Sequence, residues 1–322
     1  MGKGWWRERL HVSRRRRAGI LDAETNAARW INGESDQFPG LVLDQYAETL
    51  VLKLYSAIWF SRLDEMISLI DEDFHPERLV LRLSRNIQSA AVRIGIADPS
   101  VLIGAPPAGP VIFLETGLRF EADVLKGQKT GFFLDQRENR RLVGSLSSGK
   151  DVLNAFSFSG GFSLYAARAG ARSVTDIDIS AHALESSRRN FGLNPEATAK
   201  RTHRLIQADV FEWLQQRRAE KYDLVVLDPP SLAKRAADRA ASLKAYANLA
   251  SSGVDLVRPG GIVVCCSCSA HIRSAQFFET VQNAASRSGR KITVLQTTRE
   301  PADHHAAFPE AEYLKAIYLK IQ

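Results

Sequence analysis

Five places in this 322-residue chain join a polar or reactive side chain to the end of an apolar run. Asn154 leads from residues 151–155 into Ala155-Phe156-Ser157-Phe158-Ser159-Gly160-Gly161. Asp178 follows residues 173–177, Asp209 follows residues 203–207, and Asp228-Pro229-Pro230 follows residues 223–227. Ser267-Cys268-Ser269 ends the run at residues 261–266. If these runs are strands of an open parallel sheet, all five groups fall at its carboxyl edge, where such sheets bind ligands.

Each group has a chemistry and a competing structural role. Gly160-Gly161 is neither G-x-G-x-x-G nor a P-loop, but two glycines permit close backbone approach to a ligand. They equally suit a tight strand-to-helix turn. Asp178 lies 18 residues beyond Gly160, where a carboxylate can accept both hydroxyls of a ribose. The alternative, a helix N-cap, is better filled by Ser180. Asp209 can accept from an adenine amino group or cap the helix after it. Pro229 and Pro230 end the strand ladder and stiffen the backbone, which would hold Asp228 against a flat substrate.

Along a strand, Cys266 and Cys268 share one side and Cys265 takes the other. Cys265 and Cys266 sit inside the apolar run and read as inert core. Cys268 lies past it, where an exposed nucleophile would sit. Three cysteines within four residues, without C-x-x-C, argue against zinc and exclude a disulfide framework. Asp303-His304-His305 is a poor metal site, because adjacent side chains rarely converge on one ion.

The elements that must position these groups follow from patterning. From residue 150, apolar runs alternate with helical stretches at 162–169, 181–191, 210–218 and 243–257, which predicts a parallel sheet covered on both faces. Arg258-Pro259-Gly260-Gly261 reads as a turn launching the fifth strand. Residues 292–297 and 313–321 read as an added antiparallel pair. The earlier chain predicts a small α+β domain over residues 27–118. Its strands lie at 28–31, 41–43 and 50–55, a helix at 61–70, a strand at 79–83 and a closing strand near 111–114. An α/β domain then runs over 119–322, and residues 1–26 form a basic tail.

Hydrophobic residues make up 45% and charged residues 25%, which excludes a mostly disordered chain. No run reaches a membrane span, and residues 1–17 lack the apolar core of a signal peptide, so the chain reads as cytoplasmic. The net charge is +7, yet residues 1–17 alone hold seven basic residues against Glu8. Arg14, Arg15, Arg16 and Arg17, beside Trp5 and Trp6, suit an RNA backbone with stacking partners. A solvated, frayed terminus is the competing reading.

Asn154-Ala-Phe-Ser-Phe-Ser-Gly-Gly-Phe162, Asp176-Ile-Asp-Ile-Ser180, Asp228-Pro-Pro230 and Ser267-Cys-Ser269 resemble the class I S-adenosylmethionine-dependent methyltransferases. More narrowly, they resemble the RlmI-type large-subunit rRNA cytosine-C5 methyltransferases. Gly127-Gln-Lys-Thr-Gly-Phe-Phe-Leu-Asp-Gln-Arg137 looks like that family's lead-in segment. Asp303-His304, Phe308-Pro-Glu310 and Tyr313-Leu-Lys315 match its C-terminal signature, with His305 where the family usually has Pro. The similarity runs from about Arg29 to the end.

The resemblance implies a Rossmann-like domain with a mostly parallel seven-stranded sheet after a small α+β domain. It implies S-adenosylmethionine contacts from Gln136, Arg137, Asn154, Ala155, Phe156, Ser157, Gly160, Asp178, Ile179, Asp209, Val210 and Asp228. It puts Asp228 and Cys268 at the catalytic positions; Lys129, Pro229 and Pro230, with Arg14 to Arg17 on the strength of their charge, are expected on the rRNA substrate. Members usually begin with an RNA-binding PUA domain, of which residues 5–17 resemble an Arg-rich remnant. No metal or membrane partner is implied, and a homodimer is compatible with it.

The implied chemistry agrees with the residues. A thiolate adding at C6 of cytosine makes C5 enamine-like and able to take a methyl group. Asp228 would bond the N3/N4 edge and stabilise charge developing on the ring. Ser231, where enzymes acting on exocyclic amines tend to carry an aromatic residue, favours carbon methylation. The alternatives are an rRNA guanine or adenine N-methyltransferase, with Cys268 a bystander, and a nucleotide-binding RNA module without turnover.

Overall fold

The apolar runs of the N-terminal part pair as strands. In the computed structural model, which describes residues 2–216, 219–233 and 235–322, the chain divides into two units. The first comprises Met1–Asp135 and Pro301–Ala311, the second Gln136–Glu300 and Glu312–Gln322. Helix α1 (Lys3–Arg16) opens the first unit. Strands β1 (Ala27–Asn32), β2 (Leu41–Tyr46) and β3 (Thr49–Leu54) pair antiparallel in sequence order. Helix α2 (Leu63–Phe74) buries Met66, Leu69 and Ile70 and carries the chain across to β4 (Arg78–Leu83), parallel to β3. Helix α3 (Arg85–Arg93) and β5 (Ser100–Ile103) complete a sheet of order β1-β2-β3-β4-β5.

Two expectations for this unit fail. The strand near 111–114 does not close the five-stranded sheet; β5 does. Residues Val111–Glu115 (β6) instead form a hairpin with β7 (Leu118–Ala122). The turn residues Thr116 and Gly117 both have positive φ, 48° and 79°, which is the two-residue geometry that turns a strand straight back. Residues 3–16 are not a frayed tail but a helix. Trp6 and Leu10 enter the apolar core with Phe38 and Trp59, so Trp6 is a packing residue rather than a base-stacking one.

The second unit follows the strand–helix alternation. Its elements are α4 (Arg137–Ser145), β8 (Asp151–Ala155), α5 (Gly161–Arg168), β9 (Ser173–Asp178), α6 (Ala181–Gly192) and α7 (Pro195–Thr198). They continue with β10 (Thr202–Gln207), α8 (Val210–Gln215), β11 (Tyr222–Leu227), α9 (Arg239–Leu256) and β12 (Val257–Ser267). The last are α10 (Ser274–Ser286), β13 (Ile292–Arg299) and β14 (Lys315–Ile321). Among the described residues these strands make a seven-stranded sheet of order β10-β9-β8-β11-β12-β14-β13. The first five are parallel, and β14 and β13 are the antiparallel addition. This is the Rossmann-like order, with β8 and β11 adjacent where the chain direction of winding reverses.

Of the helix expected over 210–218, α8 covers Val210–Gln215; Arg217 and Arg218 lie outside the described residues. The expected turn at Arg258-Pro259-Gly260-Gly261 falls inside β12. It shifts the register against β11 between the pairs Tyr222–Val257 and Leu224–Ile262, the bulged place a strand proline tolerates.

Arg17 ends α1 with its side chain fully buried. Its guanidinium meets both Asp36 oxygens, at 3.1 and 2.6 Å, and donates to the Asp303 carbonyl. It is therefore not available for a phosphate, contrary to the expectation for residues 14–17. Removing one partner of a buried pair strands the other charge, typically at about 3–5 kcal/mol. Thermal unfolding should show Arg17→Ala strongly destabilised and Arg15→Ala, at an exposed site, nearly unchanged; equal midpoints would contradict the assignment.

Candidate active site

The loop after β8 is built on one buried carboxylate. Asp176, inside β9, has no solvent exposure. Its Oδ1 accepts from Asn154 Nδ2 at 2.9 Å and from the Ser163 hydroxyl. Its Oδ2 accepts from Ser187 Oγ at 2.6 Å and meets His203 Nε2 at 2.8 Å. Gly160 passes over this cluster at φ +73°, in the left-handed region; a Cβ there would sit 2.0 Å from Ser187 Oγ and 3.0 Å from Asp176 Oδ2. Only glycine fits. Phe156 and Phe158 also have positive φ, 62° and 47°, so the loop is held in a conformation bulky residues rarely take.

Asp178 ends β9 and closes the loop from the other side. Phe158 N donates to its Oδ2 and Ser180 N to its Oδ1, each at 2.9 Å. Each oxygen keeps a further lone pair for a ligand hydroxyl. Ser180 caps α6 by accepting from Ala183 N. Asp209 does cap α8, through Oδ1 alone, at 2.8 Å to Phe211 N and 3.3 Å to Glu212 N. Asn154 Oδ1, Ser157 Oγ and Ser159 Oγ are buried without a hydrogen-bond partner among the described residues. Buried polar atoms are normally paired. Two such groups in the loop and one at the end of β8, beside an oriented strand-end carboxylate, fit the polar ribose and amino-acid parts of S-adenosylmethionine.

The second cluster lies at the ends of β11 and β12. Asp228 N bonds the Ala155 carbonyl at 3.4 Å, joining this edge to the end of β8. Gln136 Nε2 donates to Asp228 Oδ1 at 2.9 Å. Cys268 is half-buried, with Sγ 4.0 Å from the Pro229 carbonyl, whereas Cys265 and Cys266 are buried. Burial pushes the Cys265 thiol up to about 12 and Cys266 well above its ordinary value. Both are thus held as inert thiols.

The serines beside Cys268 fasten the end of β12 to the segment after Pro230. Ser269 Oγ accepts from Leu232 N at 3.2 Å and Ala233 N at 3.3 Å, and meets Tyr246 Oη at 3.0 Å. Ser267 Oγ donates to Tyr246 Oη at 2.9 Å. Lys315, almost fully buried, donates to the carbonyls of Ser269 and Ile272 at 2.7 and 2.6 Å, bracketing the turn after Cys268. Burial pulls its ammonium pKa down to about 8, with Glu300, Cys268 and Glu312 opposing.

The remaining expected residues are distributed more widely. Ile179 is exposed beside Asp178, while Ala155 and Val210 are core residues of the second unit, so only their backbones can face a ligand. Arg137 is buried in the first turn of α4. Pro229 is buried and Pro230 exposed. Lys129 lies in the first unit, 3.4 Å from Asp135 and over the Phe133 ring. Arg14 donates to the Asp73 carbonyl, Arg16 to Asp36, and Arg15 is exposed. Sequence reasoning missed the parts played by Asp176, Ser187, Tyr246, Ser269 and Lys315. The available signal was an acidic or basic residue inside an apolar strand, as at Asp176 and Lys315, which burial makes costly unless it is bonded.

Among the described residues no helix is long and apolar enough to cross a membrane, and no group of three or more His, Cys, Asp or Glu side chains is placed to hold a metal.

The family profile described as S-adenosylmethionine-dependent methyltransferase matches residues 100–319. The chain is 53% identical to a ribosomal RNA large subunit methyltransferase of Deinococcus radiodurans, over 98% of this chain and 79% of that protein. It is 36% identical to the ribosomal RNA large subunit methyltransferase I of Shewanella amazonensis, over 95% of this chain and 77% of that protein. The crystal structure of a protein complexed with SAH shares the fold, with a TM-score of 0.86 at 23% identity over 99% of this chain and 82% of that one. An oriented strand-end carboxylate, a strained glycine loop and this similarity along nearly the whole chain lead to one conclusion: the chain belongs to the S-adenosylmethionine-dependent methyltransferases, in their RlmI-like group, and its cofactor is S-adenosylmethionine.

Proposed function

We propose that this chain methylates C5 of a cytosine in large-subunit (23S) rRNA through a covalent adduct with Cys268. The observation that carries the reading is the placement of Cys268. It is the half-buried cysteine, at the end of β12 and against Pro229, while its two neighbours are buried. The names of the two relatives support an rRNA substrate. This reading makes the chain a cytoplasmic, RNA-binding enzyme.

Asp178 would hold the ribose hydroxyls of the cofactor, with Ser157, Ser159, Asn154 and Asp209 around it and the exposed Ile179 beside it. When bound, S-adenosylmethionine supplies an electrophilic methyl group. Cys268, as the thiolate, adds to C6 of the base, and C5 becomes enamine-like and nucleophilic. Once C5 carries the methyl group, loss of its proton expels the thiolate and restores the aromatic ring. Asp228, stiffened by Pro229 and Pro230, would face the amine side of the base and stabilise charge on the ring. Arg14, Arg15 and Arg16 remain as phosphate contacts, with Lys129 a further candidate.

Removing Asp178 should cost about 1.5–3 kcal/mol of cofactor affinity, roughly 10- to 150-fold. Calorimetry on folded Asp178→Ala would check this, and unchanged binding would remove the assignment. Wild-type enzyme should be trapped covalently by RNA carrying 5-fluorocytosine at the target, since fluorine cannot leave as a cation. Cys268→Ala should still bind S-adenosylmethionine but lose trapping and turnover, whereas Cys265→Ala should mainly lower stability. Near-wild-type methylation by Cys268→Ala would sink the C5 mechanism and favour a nitrogen target.

A further inference from the structure

Ser267 and Ser269 stand on either side of Cys268, and one phenol touches both. Ser267 Oγ donates to Tyr246 Oη at 2.9 Å, and Ser269 Oγ meets the same oxygen at 3.0 Å. Ser269 N donates to Ser267 Oγ at 3.3 Å, which closes the tripeptide on itself. Tyr246 is 2% exposed and both serines 0%, so these hydroxyls are satisfied by one another rather than by solvent. The Tyr246 ring is itself anchored, packed edge-on to Phe277 in the core between α9 and α10.

The Ser269 hydroxyl also reaches the neighbouring strand end. It accepts from Leu232 N at 3.2 Å and Ala233 N at 3.3 Å, and meets Ser231 Oγ at 3.3 Å. Two N–H donors fill the lone pairs of that oxygen, so its own proton is directed to Tyr246 or Ser231. Residues 231–233 continue the chain from Pro229-Pro230, and Cys268 Sγ lies 4.0 Å from the Pro229 carbonyl. Lys315 Nζ holds the Ser269 carbonyl at 2.7 Å.

A cysteine has one rotatable bond between backbone and sulfur, so a fixed backbone leaves its thiol only the staggered positions. Here the residue before Cys268, the residue after it and the segment beyond the two prolines are all referred to one oxygen of α9. That is more hydrogen bonding than ending a strand requires, and it is centred on the half-buried thiol.

We propose that Tyr246 is a positioning residue for Cys268: through Ser267 and Ser269 its phenol fixes the backbone on both sides of the thiol and sets it against the Asp228-Pro229-Pro230 segment. The inference rests on the reading of Cys268 as the nucleophile.

The test is the single-turnover rate of adduct formation by the full chain, with saturating S-adenosylmethionine. The substrate is large-subunit rRNA transcribed with 5-fluorocytidine triphosphate in place of CTP, and the adduct is read on a denaturing gel. In it the sulfur–C6 and C5–methyl bonds form and S-adenosylhomocysteine leaves. The C5 fluorine cannot depart as a cation, so the sulfur stays attached. Tyr246→Phe removes one oxygen and keeps the ring. It should slow adduct formation about 10- to 100-fold, the usual cost of a misplaced reacting group. S-adenosylmethionine affinity and the half-saturating rRNA concentration should stay within about twofold, because neither binding step uses the phenol. The Ser267→Ala/Ser269→Ala pair removes the same bonds from the other side and should be slowed equally. Adding Tyr246→Phe to that pair should slow it no further, since coupled groups are not additive. The serine pair alone carries the test if Tyr246→Phe does not fold. A wild-type rate would overturn the proposal, and so would a smaller trapped fraction at an unchanged rate, the mark of a merely structural role. Cys268→Ala separates the two layers. If it is inactive while Tyr246→Phe keeps the wild-type rate, the positioning role fails and the nucleophile stands. If Cys268→Ala still methylates ordinary rRNA, the nucleophile fails and the positioning role with it.

Discussion

Asp176 carries a carboxylate with no solvent exposure in the middle of β9, and the loop at the ends of β8 and β9 is arranged around it. A buried carboxylate is costly unless its lone pairs are filled. Here Asn154 from β8, Ser163 from α5, Ser187 from α6 and His203 from β10 fill them. Satisfying one charge thereby fixes four elements against a fifth. The loop above has no freedom left, because Gly160 passes too close to Ser187 and Asp176 for any side chain. A ligand meeting this loop finds its hydrogen-bonding groups already placed, which reduces what binding must spend on ordering.

The edge at the ends of β11 and β12 is organised differently, by hydroxyls and one ammonium rather than a central carboxylate. Ser269 ties the segment after Pro230 to the end of β12, and Lys315 from β14 holds the turn that follows. The antiparallel pair added to the sheet thus has a task at the site. It brings Lys315 under Cys268 and Tyr318 toward Asn139. Because β8, β11 and β12 are neighbours in the sheet, the glycine loop, Asp228 and Cys268 emerge on the same edge of one rigid support.

The positions of the strand-end residues were legible because period-two apolar runs and turn residues mark strand ends directly. Asp178, Asp209, Asp228 and Cys268 all stand where those patterns put them. The partners that hold them were not legible. Asp176 reads locally as one more residue of a strand, and its four donors come from 11 to 27 residues away. Asn139 accepts from Tyr318 Oη, 179 residues away, and only the folded sheet brings them together. In the first unit the charge of residues 14–17 suggested a solvent-facing tail. The apolar Trp6 and Leu10 on one face of α1, and the buried acceptor Asp36, decided otherwise for Arg17.

The central claim is that this constellation forms 5-methylcytosine in large-subunit rRNA. Its most direct test is mass-spectrometric mapping of rRNA from a strain lacking this protein against its parent. The account predicts the loss of a single 5-methylcytosine from 23S rRNA, restored by the wild-type chain and not by the Cys268→Ala variant. Loss of a methyl group on a guanine or adenine nitrogen instead, or two identical rRNA maps, would contradict it.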